Sequence, residues 1–100
     1  MRKIDLATYM VGEQEFHVRP SLVAVLFNED RLDPREILRR DTLAQRVESC
    51  EDDEILLEDA EWAKINSGLN ATDLKPLGRS VAEFIRRVVD APKVDVQERP

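Results

Sequence analysis

The chain has 100 residues and a mass of 11.5 kDa, which supports one domain and argues against two. Hydrophobic residues make up 42% and charged residues 36%, a mixture that argues against wholesale disorder. The net charge of −6 lacks the Lys and Arg surplus that nonspecific nucleic-acid binding needs.

No apolar run approaches the roughly 20 residues of a membrane helix. Asp5 falls where a secretory signal needs unbroken apolar residues, so cytoplasmic synthesis is the expectation.

The first predicted element is a β-hairpin. Thr8-Tyr9-Met10-Val11 and Glu15-Phe16-His17-Val18 flank Gly12-Glu13-Gln14. Tyr9 with Val11, and Phe16 with Val18, alternate as half-buried strands do. Gly12 supplies turn freedom. A lone hairpin is marginal in water, so it must lie on an apolar surface.

Pro20 suits the start of a helix. Leu22, Val23, Val25, Leu26 and Phe27 follow, apolar on nearly every side, which places this helix at the centre of the domain. A buried strand is the competing reading, and Asn28 offers a stop.

The next start signal is the sharpest in the chain. Asp33 can cap, Pro34 occupies the first helical position, and Glu36 can reach back to close a capping box. Leu32 and Ile37 are spaced for a hydrophobic staple. This helix is predicted from Pro34 to about Ser49, with Ile37, Leu43, Ala44 and Val47 on its buried side. Arg35, Arg39 and Arg46 form another side. Arg40 falls inside the apolar stripe, where either its stem packs and its guanidinium snorkels, or it pairs with a buried carboxylate or a partner.

Residues 50–54 read as an acidic loop. Ile55-Leu56-Leu57 is either a strand or the lead-in to a helix over about Asp59 to Gly68, which buries Trp62, Ile65 and Leu69. Acids in the first turn suit that helix's dipole, and Gly68 and Asn70 suit its end. After a linker, Leu77, Val81, Phe84, Ile85 and Val88 mark a last amphipathic helix. It starts at Pro76 or is capped by Ser80, and Ala91-Pro92 ends it. The expected fold is α+β: an N-terminal β-hairpin packed on about four helices, mainly helical. Residues 1–92 form the domain, and residues 93–100 read as a loose polar tail.

Charge is polarised along the chain. Eight acids and no base lie between Glu48 and Glu61. Five arginines (Arg31, Arg35, Arg39, Arg40 and Arg46) face three acids between Arg31 and Arg46. Such a layout can steer a charged partner or support self-association. It also describes two solvated faces with no partner.

Chemistry is harder to find. His17 is the sole histidine and is expected to face solvent without a catalytic neighbour. Cys50 is the sole cysteine, and a reactive thiol would want a basic neighbourhood, where acids follow instead. Residues 51–54 lack the ligand spacing of a calcium loop. No glycine loop for phosphate is present. The expectation is no catalytic residue, no metal and no cofactor.

Met1-Arg2-Lys3-Ile4-Asp5-Leu6, the block Arg39-Arg40-Asp41-Thr42-Leu43-Ala44-Gln45-Arg46-Val47, and Ile55-Leu56-Leu57-Glu58-Asp59-Ala60-Glu61-Trp62-Ala63-Lys64-Ile65 resemble small acidic proteins of tailed bacteriophages and prophages. The resemblance implies a short N-terminal β segment before several helices, with an acidic loop ahead of the third. It carries over no functional residue.

The expectation is a noncatalytic phage or prophage protein-binding module, an assembly factor or minor structural component. It would work in the cytoplasm of a bacterial host or with the virion. Glu51, Asp52, Asp53, Glu54, Glu58 and Asp59 would face a basic protein partner. Arg35, Arg39 and Arg46 would serve a second contact or self-association. The alternative is a host-directed inhibitor, an anti-defence protein whose acidic surface imitates nucleic acid. A nucleic-acid binder using the arginine helix is a third reading, and the nearby acids count against it.

Overall fold

The computed structural model describes residues 1–94. The order of elements is β1 (Arg2–Asp5), β2 (Tyr9–Val11), β3 (Gln14–Phe16), α1 (Val18–Leu26), α2 (Pro34–Ser49), β4 (Glu54–Leu57), α3 (Asp59–Asn70), a 3-10 helix (Lys75–Val81) and α4 (Ala82–Val89). The fold is α+β, with N-terminal strands and four α-helices.

The hairpin forms as β2 and β3, with Tyr9 opposite Phe16 and Val11 opposite Gln14. Gly12, at φ +62°, takes the left-handed turn position that side chains disfavour. The second strand stops at Phe16, and Val18 is buried in the first turn of α1. Tyr9 and Phe16 stack at 4.9 Å, and Phe16 meets Phe84 at 5.5 Å. Those rings seat the hairpin on α4.

Ile55-Leu56-Leu57 is strand, not helix lead-in. It pairs antiparallel with β1, setting Ile4 against Ile55 and Lys3 against Leu56. Alternation buries Ile4, Ile55 and Leu57 and leaves Lys3, Asp5, Glu54 and Leu56 exposed. Lys93 bridges to Arg2, and the Val94 amide donates to Met1 O. The first two residues of the expected tail therefore lie along β1, and residues 95–100 fall outside the described residues.

α1 is a helix. It starts at Val18, two residues before Pro20. It packs between α2 and α3, yet Pro20 and Ala24 remain exposed, so it is flanked and not surrounded. Its approach to α3 is close. A Cβ on Gly68 would sit 2.0 Å from Val25 O. Gly68 is thus a packing residue inside α3, which continues to Asn70.

α2 spans Pro34–Ser49 as expected, and the Glu36 amide donates to the Asp33 carboxylate at 2.8 Å. The Glu36 side chain does not close a capping box; it turns to Arg40 and Lys64. Ile37 is 42% exposed, because the buried stripe of α2 runs through Arg40, Leu43, Ala44 and Val47.

The last helix is interrupted. Gly78, at φ +56°, kinks the 3-10 segment, and α4 starts only at Ala82. Pro76 lies in the first turn of the 3-10 helix, and Ser80 does not cap α4. Leu77 falls before the kink and is 49% exposed, while Val81, Phe84 and Val88 are buried.

Candidate functional site

The acidic segment begins where α2 ends. The last carbonyls of a helix lack intrahelical donors and carry partial negative charge. Arg19, from the first turn of α1, answers them. Its guanidinium donates to Val47 O at 3.0 Å, to Cys50 O, and to Asp52 O at 2.7 Å. The Leu6 amide donates to Asp53 O at 2.6 Å. The Cys50 thiol contacts Asp52 O and Glu54 O at 3.6 and 3.5 Å. The loop backbone is therefore held from the core side, and Glu51, Asp52, Asp53 and Glu54 are exposed.

β4 and α3 carry the remaining acids. Glu54 lies 2.6 Å from Lys3, and both are about half exposed. Glu58 caps α3, and its amide donates to the Glu61 carboxylate at 2.9 Å. Asp59 is 3.9 Å from Arg2 Nε. Glu51, Asp52, Asp53 and Glu58 form no ion pair among the described residues. A groove of about 480 Å³ runs beside this edge, lined by Lys3, Asp52, Asp53, Glu54, Leu56 and Val94.

The three arginines of the α2 face divide. Arg35 and Arg39 are exposed, and Arg39 lies 3.8 Å from Glu36. Arg46 bonds the Glu61 carboxylate and Leu56 O at 3.2 Å. It ties α2 to the acidic segment itself, through β4 and the first turn of α3. Beside Arg35 and Arg39, Leu38 is 68% exposed.

Arg40 is buried, only 4% exposed, and paired. It reaches Glu36 at 3.0 Å, Glu29 at 3.2 Å and Leu26 O at 2.8 Å. It does not snorkel. Its guanidinium sits at the C-terminal end of α1, where a cation is favoured. Lys64 holds Glu36 from α3 at 2.8 and 2.9 Å. The Lys64 hydrogen bond, with Arg40 second, brings the Glu36 carboxyl below its ordinary range despite its burial. A Ser67 hydrogen bond, then Arg40, does the same for Glu29. This cluster joins α1, α2 and α3 and consumes its charges internally.

His17 precedes α1 and is exposed, with Nε2 3.7 Å from Glu15. Among the described residues no group of three His, Cys, Asp or Glu side chains is placed to hold a metal ion. Nor is any helix among them long and apolar enough to cross a membrane.

Two features escape the sequence reading. Arg19 looks like an interruption of an apolar helix, and its partners lie 28 to 33 residues away. Arg79, Arg86 and Arg87 line one groove with Tyr9 and Met10. Their spacing of seven and eight residues was a usable signal for a shared face.

No family model, no curated protein and no solved structure matches the chain.

Proposed function

We propose that this chain is a noncatalytic protein-binding module of a tailed bacteriophage or prophage. It acts as an assembly factor or minor structural component, with its acidic edge docked on a basic protein partner. The observation that carries this reading is the Arg19 clamp. It spends three hydrogen bonds on the backbone between Val47 and Asp52 and none on the carboxylates. A charged loop whose backbone is already ordered loses less entropy on binding. Exposed carboxylates of one sign raise the rate of encounter with a cationic partner. The resemblance of residues 1–6, 39–47 and 55–65 to phage proteins supports the setting.

The test is capture of the tagged chain from phage-infected bacteria, with mass spectrometry of what is retained. Virion components are the expected catch. Affinity for them should fall on Glu51→Gln, Asp52→Asn and Asp53→Asn combined, with a shallower salt dependence. Unchanged affinity and salt slope in that variant would refute electrostatic docking. Retention of host nucleic-acid machinery instead, displaced by DNA or RNA, would replace this reading with that of an inhibitor.

A further inference from the structure

β2 is an edge strand, because its sheet contains only β2 and β3. Between it and α4 lies a groove of about 470 Å³ whose lining includes Tyr9, Met10, Arg79, Glu83, Arg86 and Arg87. Three guanidinium groups thus meet one carboxylate in a chain of net charge −6. Glu83 stands 3.5 Å from both Arg86 and Arg87, the far limit of a hydrogen bond. Arg87 is largely engaged: it donates to Ala7 O at 2.6 Å and lies over the Tyr9 ring, with its side chain 14% exposed. Arg86, 67% exposed, keeps most of its five guanidinium donors available. Arg79 forms no ion pair among the described residues. Met10, beside them, is 59% exposed.

This basic groove borders the acidic edge. Arg87 lies 3.7 Å from Asp5, and Asp5 is opposite Glu54 across the β1–β4 ribbon. Asp52 and Asp53 come immediately before Glu54. A surface with adjoining halves of opposite sign is complementary to itself after a two-fold rotation.

We infer that this bipolar surface is a homodimer interface. The groove beside β2 of one copy receives the Asp52–Asp53 edge of the second, and the two-fold axis repeats the contact. The exposed Met10 supplies apolar area between the two charged contacts. Arg35 and Arg39 take no part. The dimer covers carboxylates that the partner proposed above would use, so partner and second copy compete. The two readings fail separately, since dimerisation is read from mass without any partner.

Sedimentation equilibrium of the full chain tests it. At an ionic strength of about 0.01 M, where the Debye length is about 30 Å, a dimer is expected; at about 1 M, where it is about 3 Å, a monomer. Arg79→Glu with Arg86→Glu should yield a monomer at low salt. Asp52→Lys with Asp53→Lys should do the same. Mixed in equal amounts, the two variants should form a heterodimer, because each reversed half then faces its complement. Both variants remain net negative, so bulk charge does not draw them together. Arg35→Glu with Arg39→Glu should leave the wild-type dimer intact. Circular dichroism checks that each variant is folded, and the milder Arg79→Gln with Arg86→Gln should weaken the dimer at least tenfold. A wild-type monomer at low salt would overturn the inference. So would a dimer that survives both charge reversals, or a mixture that stays monomeric.

Discussion

The Tyr9 hydroxyl accepts a hydrogen bond from the Phe84 amide at 3.1 Å and donates one to Ser80 O at 2.8 Å. A strand residue thereby satisfies a first-turn amide of α4, which has no side-chain cap of its own. Tyr9→Phe keeps the ring stacking and leaves both backbone groups without that partner. The expected loss is about 2 kcal/mol, read as a lower urea midpoint with an unchanged slope.

The same residue predicts an alkaline limit. Burial of the Tyr9 hydroxyl raises its pKa above the ordinary 10.0, and the Phe84 and Arg87 contacts only partly offset that rise. A raised folded value means the contribution is whole below pH 10.0 and is lost as pH climbs through the folded value. Tyr9 is the sole tyrosine, so tyrosinate absorbance should report a folded titration later than the unfolded one. Tyr9→Phe should remove this part of the alkaline loss.

The carboxylates around Arg40, held down chiefly by Lys64 at Glu36 and by Ser67 at Glu29, predict an acid limit. Glu36 and Glu29 both titrate below their ordinary 4.5 when folded. Depressed values mean stability that is present above pH 4.5 and lost as pH falls through the folded values. Glu36→Gln should flatten that limb in pH-dependent thermal unfolding. Arg40→Met leaves Leu26 O and Glu29 without their buried donor and should cost about 3 kcal/mol at neutral pH.

Gly68→Ala places a methyl group 2.0 Å from Val25 O. Backbone cannot yield as a flexible side chain can, so α1 and α3 must part. The expected loss is about 3 kcal/mol, with calorimetry as the measurement. Gly12→Ala has nothing within 4 Å and pays only for its positive φ, about 1 kcal/mol.

Arg19→Ala should loosen the acidic edge without altering its charge-bearing carboxylates. Hydrogen exchange at the amides of residues 50–53 should accelerate. Partner binding should weaken although every acid is retained. Equal exchange in wild type and variant would show that the clamp does not order the loop.

Local signals were legible wherever the chain satisfies itself. Asp33, Pro34 and the stripe through Val47 state α2 within sixteen residues. Gly12 states the hairpin turn. The acids from Glu51 to Asp59 were readable as an exposed set because charge that finds no local partner stays in water. β1 was not legible. Of its four residues only Ile4 is fully buried, and it becomes a strand by pairing with β4 across half the chain. Arg46 read as part of a basic face, and its turn toward Glu61 depends on how α2 meets α3.

Composition and periodicity by themselves determined the class of fold, the bounds of α2 and the acidic character of residues 48–61, since each follows from neighbours along the chain. Tertiary structure alone decided which side chains complete the helix ends: Tyr9 at the start of α4, Trp62 through Nε1 to Val88 O at 2.7 Å near its finish, Arg40 at the end of α1 and Arg19 at the end of α2. A helix always exposes unpaired amides and carbonyls at its termini. When no adjacent residue can satisfy them, the donor or acceptor comes from whatever element packing brings alongside, and sequence distance carries no record of that.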